Sequence, residues 1–348
     1  MITAEDTLKA IESSVLEGSR DDHRNHLGGS IIGDECERKL WYVFRWGMKT
    51  QFPSRILRLF ARGQREEDVF NDLLRKSGIT VWDVDADTNQ QFSVSEVGGH
   101  FGGSLDGFLM GVPERPKEPM VSEQKTHGDK SFKDLQRRGV EVSKPIHWAQ
   151  MQIYMFLTQD VSAALYQAVN KNDDSLYFEI VELDEEMGDR LLKKAHRIIA
   201  SDRPSFRISE DSTFYLCKMC DFHALCHGTT TPEFNCRTCI HSTPVIEGED
   251  GLWMCEFHDR SINQAAQINA CDSHRFIPDL LQTWAEPIEV DEETHDISYL
   301  TTRNGAQKFT NGEGKGHYLS REIAAAEDYR AIGAEATDAL KEMGELTG

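Results

Sequence analysis

The 348-residue chain has no run of apolar residues approaching the roughly 20 that cross a bilayer as a helix. Its start, MITAEDTLKAIESS, lacks the basic and apolar blocks of a signal peptide. Both absences point to a soluble, intracellular protein with no membrane partner. There is no G-x-x-x-x-G-K-[ST] phosphate loop, so no helicase-type motor is expected. Low-complexity tracts are missing, and 39% hydrophobic residues can bury a core, which excludes disordered and collagen-like classes. The length suits one main domain with appended pieces. Bases are scarce: 38 Lys and Arg face 59 Asp and Glu, for a formal net charge of -21. So negative a mean repels polyanions at long range, and any nucleic-acid contact needs a local exception.

That exception lies where acids are missing. Between Arg38 and Arg65 stand eight bases and no acid: Arg38, Lys39, Arg45, Lys49, Arg55, Arg58, Arg62 and Arg65. They are interleaved with Trp41, Tyr42, Phe44, Trp46, Phe52 and Phe60, a mixture suited to phosphate contact plus base stacking. An amphipathic region with aromatics in the core and charges in water fits the same residues.

Cysteine is concentrated. Of eight, at 36, 217, 220, 226, 236, 239, 255 and 271, seven fall between 217 and 271. Two C-x-x-C pairs in a chain without a secretory signal point to metal rather than disulfides. Spacing leaves two partitions open. In one, Cys36 joins Cys217, Cys220 and Cys226 on an iron–sulfur cluster, while Cys236, Cys239, Cys255 and Cys271 hold zinc, with His258 or His274 as substitutes. In the other, Cys217, Cys220, Cys236 and Cys239 form a zinc ribbon, C-x2-C-x15-C-x2-C, and the rest are unassigned.

Hydrophobic periodicity predicts a helix over 4–18 and another over 55–76, interrupted near Gly63. Strands follow over 79–84, 91–97, 100–110 and 121–126. A helix over 146–157, strands over 163–169 and 176–183, and a helix capped by Asp184 complete an α/β domain with a mixed sheet. The cysteine region looks metal-stapled. The acidic run 286–296 reads as a solvated linker or edge. The last 50 residues offer a small β segment, a helix over 321–343 and no motif that carries chemistry.

Chemistry gathers elsewhere. Asp106 sits in Gly-Gly-Ser-Leu-Asp-Gly, and Glu123 and Lys125 in Ser-Glu-Gln-Lys-Thr. Strand alternation puts Glu123 and Lys125 on one face, and a neighbouring strand can bring Asp106 alongside. Converging carboxylates suit Mg²⁺ or Mn²⁺, and a lysine beside them can orient water or offset charge on a phosphate. A surface ion pair is the commoner meaning of a bare E-x-K. Upstream, Glu67 follows Gly63 by four residues; downstream, Gln150 and Tyr154 share a helix face.

The ordered set G-x-x-x-E, G-x-x-D, E-x-K and Q-x-x-x-Y resembles the PD-(D/E)XK nuclease superfamily, and more narrowly its RecB-type and lambda-type phage exonuclease branches. The resemblance covers roughly residues 30–227. It implies a restriction-endonuclease-like mixed sheet flanked by helices. It also implies that Asp106, Glu123, the Gln124 carbonyl and Glu67 bind Mg²⁺ or Mn²⁺, that Lys125 assists catalysis, and that Gln150 and Tyr154 support the site. At position 67 many RecB-type members have His instead. One branch, including CRISPR-associated RecB-like nucleases and the AddB subunit, holds a 4Fe-4S cluster on one cysteine before the core and three after it. Cys36, in Cys-Glu-Arg-Lys, and Cys217, Cys220 and Cys226 match that pattern, so the resemblance implies the first partition. Such a cluster would tie together residues about 180 apart and remove loop entropy.

The expectation is therefore a metal-dependent DNA exonuclease of recombination, repair or phage DNA metabolism, cytoplasmic in a bacterial host if phage-encoded. Its domains would be 1–230 for the nuclease with its cluster, 231–285 for a four-cysteine zinc module, and 286–348 for an acidic linker and small tail. Arg38, Lys39, Arg45, Arg55, Arg58, Arg62, Lys130 and Lys133 would meet DNA, single- or double-stranded at its ends. A recombination or single-strand-binding protein and an oligomer are further expected partners. The competing expectation is a catalytically inactive nucleic-acid- or protein-binding adaptor with zinc and iron–sulfur modules.

Overall fold

The computed structural model describes residues 3–18, 23–303, 306–326 and 332. In chain order it begins with α1 (Glu5–Glu17), β1 (Leu27–Gly28), α2 (Glu37–Phe44), α3 (Ser54–Lys76), β2 (Thr80–Trp82), β3 (Ser93–Glu96), β4 (Phe101–Ser104) and β5 (Phe108–Met110). It continues with β6 (Met120–His127), α4 (Asp129–Ser143), α5 (Pro145–Leu157), β7 (Ala163–Asn170), β8 (Leu176–Glu182) and α6 (Glu185–Ala200). The remainder is α7 (Tyr215–Lys218), α8 (His223–Cys226), β9 (Ser242–Pro244), β10 (Trp253–Cys255), β11 (Arg260–Ile262), α9 (Gln264–Asn269), β12 (Ala285–Val290), β13 (Ile297–Thr301), β14 (Lys308–Asn311) and α10 (Ser320–Ala325).

Two compact units result. The first comprises Met1–Asp34, Gln51–Val97 and Phe101–His196; the second comprises Glu35–Thr50, Gly98–His100 and Arg197–Gly348. Residues 230 and 285, the expected domain limits, both lie within the second unit.

The first unit is built on a five-stranded mixed sheet in the order β2-β5-β6-β7-β8. Its pairings are antiparallel except β6 with β7, which run parallel. A parallel pair needs a long crossover, and α4 and α5 supply it. Every residue of β7, AALYQAVN, is buried, as suits a strand covered on both faces. Leu74, Ile79, Val81, Leu109, Met120 and Leu165 form the core beneath β2 and β5.

Two sequence expectations are corrected here. The helix over 55–76 is not interrupted at Gly63; α3 runs unbroken for 23 residues, with nothing within 4 Å of where a Gly63 Cβ would stand. A glycine inside a helix costs only about 1 kcal/mol relative to alanine, too little to break so long an amphipathic one. The strand over 100–110 is two strands. β4 pairs with β1 and β3 in a separate three-stranded sheet, and β5 joins the main sheet. The chain changes sheets at Leu105–Asp106–Gly107, where Gly107 has φ +138 and a Cβ would stand 2.4 Å from the Trp82 carbonyl oxygen. No expectation covered α4. Its apolar face is thin, with Phe132, Leu135 and Val140 buried, and Gly139 at φ 71 kinks it.

The second unit holds two antiparallel three-stranded sheets, ordered β11-β10-β9 and β12-β13-β14. Trp284, Ile297, Tyr299, Phe309 and Ile323 build a core on the latter. The acidic run is not a linker: it forms the edge strand β12 and the turn behind it. Of the helix expected over 321–343, Ser320–Ala325 forms α10; most of the remainder lies outside the described residues.

Candidate active site

Alternation along β6 places Glu123, Lys125 and His127 on one face. Glu123 has no exposed surface. One carboxylate oxygen pairs with the Lys125 ammonium, and the other accepts a 2.9 Å bond from Gln150 Nε2 on α5. Lys125 Nζ also donates to the Gln124 carbonyl at 3.2 Å. The Lys125 side chain stays 26% exposed, so this cation borders solvent while its partner does not.

Asp106, at the change of sheets, accepts the Gln124 backbone N–H through Oδ2 at 2.8 Å. That bond ties the β4–β5 corner to β6. Glu67 approaches from α3. Burial pushes its carboxyl up to about 7; Asp106 adds to the rise and Lys125 opposes it. Burial likewise pushes Glu123 up to about 7, with Lys125 opposing and Asp106 and Glu67 adding. Burial works against the charge of Lys125, but Glu123 and Asp106 outweigh it and hold the ammonium above its ordinary value. Three carboxylates and one lysine thus share one field.

Supporting groups fix this arrangement. Gln124 Nε2 donates to Asn71 Oδ1 at 2.8 Å, joining β6 to α3. Tyr154, one turn beyond Gln150, is buried in a slot between two glycines. A Cβ at Gly103 would stand 2.3 Å from the Tyr154 hydroxyl, and one at Gly29 would stand 2.6 Å from its ring. Only residues without side chains leave room for the ring.

The candidate carboxylates, Lys125, the Gln124 carbonyl, Gln150 and Tyr154 are therefore brought together. A cleft of about 530 Å³ opens beside them, lined by Glu67, Gln124 and Lys125. Its far wall carries Thr126, His127, Ser131, Lys144 and His147, none of them anticipated. Extending the period of two by one step from Lys125 reaches His127, and stepping back three residues from Gln150 reaches His147, so both lay within the patterns already in use.

The expected DNA-contacting residues divide. Arg55 and Arg58 on α3 and Lys130 and Lys133 on α4 are exposed, while Arg62 is half-buried and donates to the Lys171 carbonyl at 3.4 Å. Lys39, in the second unit, is also half-buried. Arg38 and Arg45 are core groups, 5% and 3% exposed. Arg38 donates to Tyr42 Oη and the Ser205 carbonyl; Arg45 donates to the carbonyls of Ser201, Arg237 and Ser242. Buried, and bonded to neighbouring chain through these donors, the two tie segments of the second unit together rather than present charge to DNA.

All eight cysteines are free thiols. Burial raises Cys217, with Cys226 and Cys36 adding; burial raises Cys220, with Cys36 again adding. Burial pushes Cys236 up to about 12, reinforced by Cys271 and Cys255, and Cys239 up to about 12, reinforced by Cys236 and Cys255. The thiols thus act on one another in two groups, 36/217/220/226 and 236/239/255/271, all in the second unit. Cys271 Sγ also lies 3.6 Å from His258 Nε2, whereas His274 Nε2 is engaged with Thr238 and the Asn235 carbonyl. Among the described residues, no three or more His, Cys, Asp or Glu form a ready-made shell around a metal position.

No family model and no curated protein matches the chain. Among solved structures, it is similar to LHK-Exo, an alkaline exonuclease from Laribacter hongkongensis, at 13% identity over 55% of this chain and 91% of that one, with a TM-score of 0.36. LHK-Exo in complex with dAMP aligns at 12% identity over the same shares, 55% and 91%, with a TM-score of 0.36. The structure of SSO0001 aligns at 18% identity over 65% of this chain and 98% of that one, also with a TM-score of 0.36. Likenesses this distant leave function to be argued from the site itself.

Proposed function

We propose that the chain is a divalent-metal-dependent deoxyribonuclease that degrades DNA from its ends. One observation carries the reading: Glu123, wholly buried, shares a single lysine with Asp106 and Glu67 at the wall of an open cleft. One ammonium offsets one of three negative charges. The remainder is an electrostatic deficit that a divalent cation would relieve, and hard oxygen donors are the right type for Mg²⁺ or Mn²⁺. Asp106, Glu123, Glu67 and the Gln124 carbonyl would hold it. Bound there, such a cation supplies an acidified water and a counter-charge for a phosphate.

The chain's own groups do the rest. Gln150 fixes the Glu123 carboxylate in one orientation. Lys125, anchored by Glu123 and the Gln124 carbonyl, presents a positioned cation to a phosphate oxygen or an attacking water. Glu67, near 7, can hold or release a proton at neutral pH. The order of the motifs along the chain, which resembles that of RecB-type and lambda-type exonucleases, supports DNA ends as the substrate.

The cysteines extend the reading. Cys36, Cys217, Cys220 and Cys226 would hold a 4Fe-4S cluster, and Cys236, Cys239, Cys255 and Cys271 a structural zinc. The grouping of mutually perturbed thiols supports this partition over a ribbon drawn from both sets. Cys217, Cys220, Cys236, Cys239 and Cys271, raised by burial and then by neighbouring thiols, stay protonated alone and would ionise on binding metal.

The test is a nuclease assay on anaerobically purified protein. It uses 5′- and 3′-labelled linear DNA and closed circles, with Mg²⁺ or Mn²⁺, and Glu123→Ala as control. The expected outcome is loss of linear but not circular DNA, abolished in the variant. DNA bound but never cut would replace the nuclease with the adaptor. Iron and zinc analysis of the same preparation checks the cysteine assignment.

A further inference from the structure

The far wall of the cleft carries a hydrogen-bonded chain that the site described so far does not use. Tyr166, on β7 directly opposite Glu123, is wholly buried. Its hydroxyl meets His127 Nε2 at 2.9 Å and His147 Nδ1 at 2.9 Å. Ser131 Oγ meets His127 Nδ1 at 3.2 Å. The two imidazoles stack with centroids 5.8 Å apart. Among the described residues, His147 Nε2 has no hydrogen-bond partner, and the ring lies on the cleft wall.

A phenol has one proton, so Tyr166 accepts from one ring and donates to the other. Two proton arrangements satisfy the chain. In the first, Ser131 donates to His127 Nδ1, His127 Nε2–H donates to Tyr166, and Tyr166 donates to His147 Nδ1. The proton of His147 then sits on Nε2. In the second every bond reverses, and His147 Nε2 is a bare lone pair. The surroundings choose between them. Burial drives His127 down to about 4, with Lys144, Lys125 and Lys171 adding. It drives His147 down to about 3, with Lys125, His127 and Lys144 adding. Both rings are therefore neutral near pH 7, in a field made positive by lysines. The cleft lining thus combines carboxylates, Glu66 and Glu67, with lysines and neutral imidazoles, Lys125, Lys144, His127 and His147. An anion beside His147 Nε2 meets a donor on that ring only in the first arrangement, and its own charge favours that arrangement.

We propose that this wall is a second phosphate subsite, where His147 Nε2–H donates to a non-bridging oxygen of the phosphate next to the scissile one, with Tyr166 and His127 as positioning residues that keep the proton on Nε2. The proposal rests on the nuclease reading and adds to it a contact along the DNA backbone.

The test is a chemical double-substitution cycle. His147→Phe removes the donor and keeps a ring; a single methylphosphonate at the phosphate flanking the terminal scissile bond removes the anionic oxygen. A hydrogen bond to a charged partner corresponds to a loss of about 10-fold. The expected results are KM raised about 10-fold by His147→Phe with kcat within about 3-fold, a methylphosphonate penalty of about 10-fold in the native protein, and almost none in the variant. His147→Gln, which keeps a donor, should recover part of the loss. Tyr166→Phe should raise KM about 3-fold and shift the ¹⁵N signals of His147 from one tautomer toward a mixture, a change that lost packing alone would not cause. Thermal unfolding of each variant establishes that it is folded. An unchanged KM in His147→Phe, or equal methylphosphonate penalties in both proteins, overturns the subsite while leaving the nuclease intact. A native protein that cuts no DNA under any divalent metal overturns both.

Discussion

Each unit contains a carboxylate withdrawn from water in or beside a cleft, and the two are treated differently. In the second unit Asp296 lies at the base of a cleft of about 620 Å³. Its Oδ1 accepts two bonds from Arg275, at 3.0 Å from Nε and 2.6 Å from the terminal nitrogen, and its Oδ2 meets His317 Nδ1 at 2.9 Å. Arg275 is more deeply buried than its partner, 2% against 8% exposed. Glycines make the room: a Cβ at Gly312 would stand 2.2 Å from the Asp296 carboxyl, and one at Gly314 would stand 2.6 Å from the His317 ring. Asp296 itself is matched by a bidentate arginine, with the half-exposed Glu313 a second, more distant partner of that guanidinium at 3.7 Å. Glu123 in the first unit has one lysine, which it shares with two more carboxylates. A compensated buried pair holds a fold together, whereas uncompensated like charges store a demand that only something from outside can meet.

Removing each carboxylate should therefore do a different kind of damage. Glu123→Ala should lower DNA cleavage by on the order of 10³ or more, while urea unfolding shifts by about 1 kcal/mol or less, since it relieves like-charge crowding. Loss of stability with cleavage retained would reverse the assignment. Asp296→Ala leaves buried Arg275 with only the more distant, half-exposed Glu313 as counter-charge, which should cost about 3 kcal/mol. Tryptophan fluorescence during unfolding reads this, because Trp284 sits in the adjoining core. A fully stable Asp296→Ala protein would show that this pair, too, awaits a partner.

The pH dependence sharpens the same contrast. Glu67 is raised from its ordinary 4.5 to about 7, so between those values the folded state holds a proton that the unfolded chain has released. Stability from this group is therefore lost as pH rises from about 4.5 to about 7, not gained. Glu67 is only half-buried, so solvent screening reduces the effect to on the order of 1 kcal/mol. Mg²⁺ or Mn²⁺ should raise the melting temperature more at pH 7.5 than at pH 5, and Glu67→Gln should flatten the metal-free profile. Metal stabilisation that is equal at both pH values would remove Glu67 from the cation's surroundings.

How far the sequence could be read follows from the range of each interaction. Alternation is local, so it was enough to put Glu123 and Lys125 on one face of β6, and helix spacing was enough to align Gln150 with Tyr154. The break in the strand over 100–110 depends on which strands pair with each half, and no local pattern carries that. The same holds for charge. In sequence Arg45 and Arg58 are alike, each a base among aromatics. Arg45 is buried because the carbonyls of Ser201, Arg237 and Ser242, more than 150 residues on, close over it. Asp296, Arg275 and His317 belong to segments without a motif, and they meet only once β13 and the turn before α10 are folded.

The smallest expected effect tests that division of the arginines. Arg58 lies on the exposed face of α3, and its one described bond, 3.3 Å to Ser54 Oγ, is within its own helix. If it meets a DNA phosphate, Arg58→Ala should weaken DNA binding about 3-fold at moderate salt and lower the slope of log K against log salt by about 0.9, the contribution of one phosphate contact, with stability unchanged. Arg45→Ala should do the reverse, lowering stability and leaving the salt slope alone, because its guanidinium is buried and both terminal nitrogens are held by backbone carbonyls. Equal salt slopes for Arg58→Ala and the native protein would move the DNA path off α3 and toward Lys130 and Lys133 of α4. That helix leads directly out of β6, so the backbone would then leave the carboxylates along the wall that carries His147.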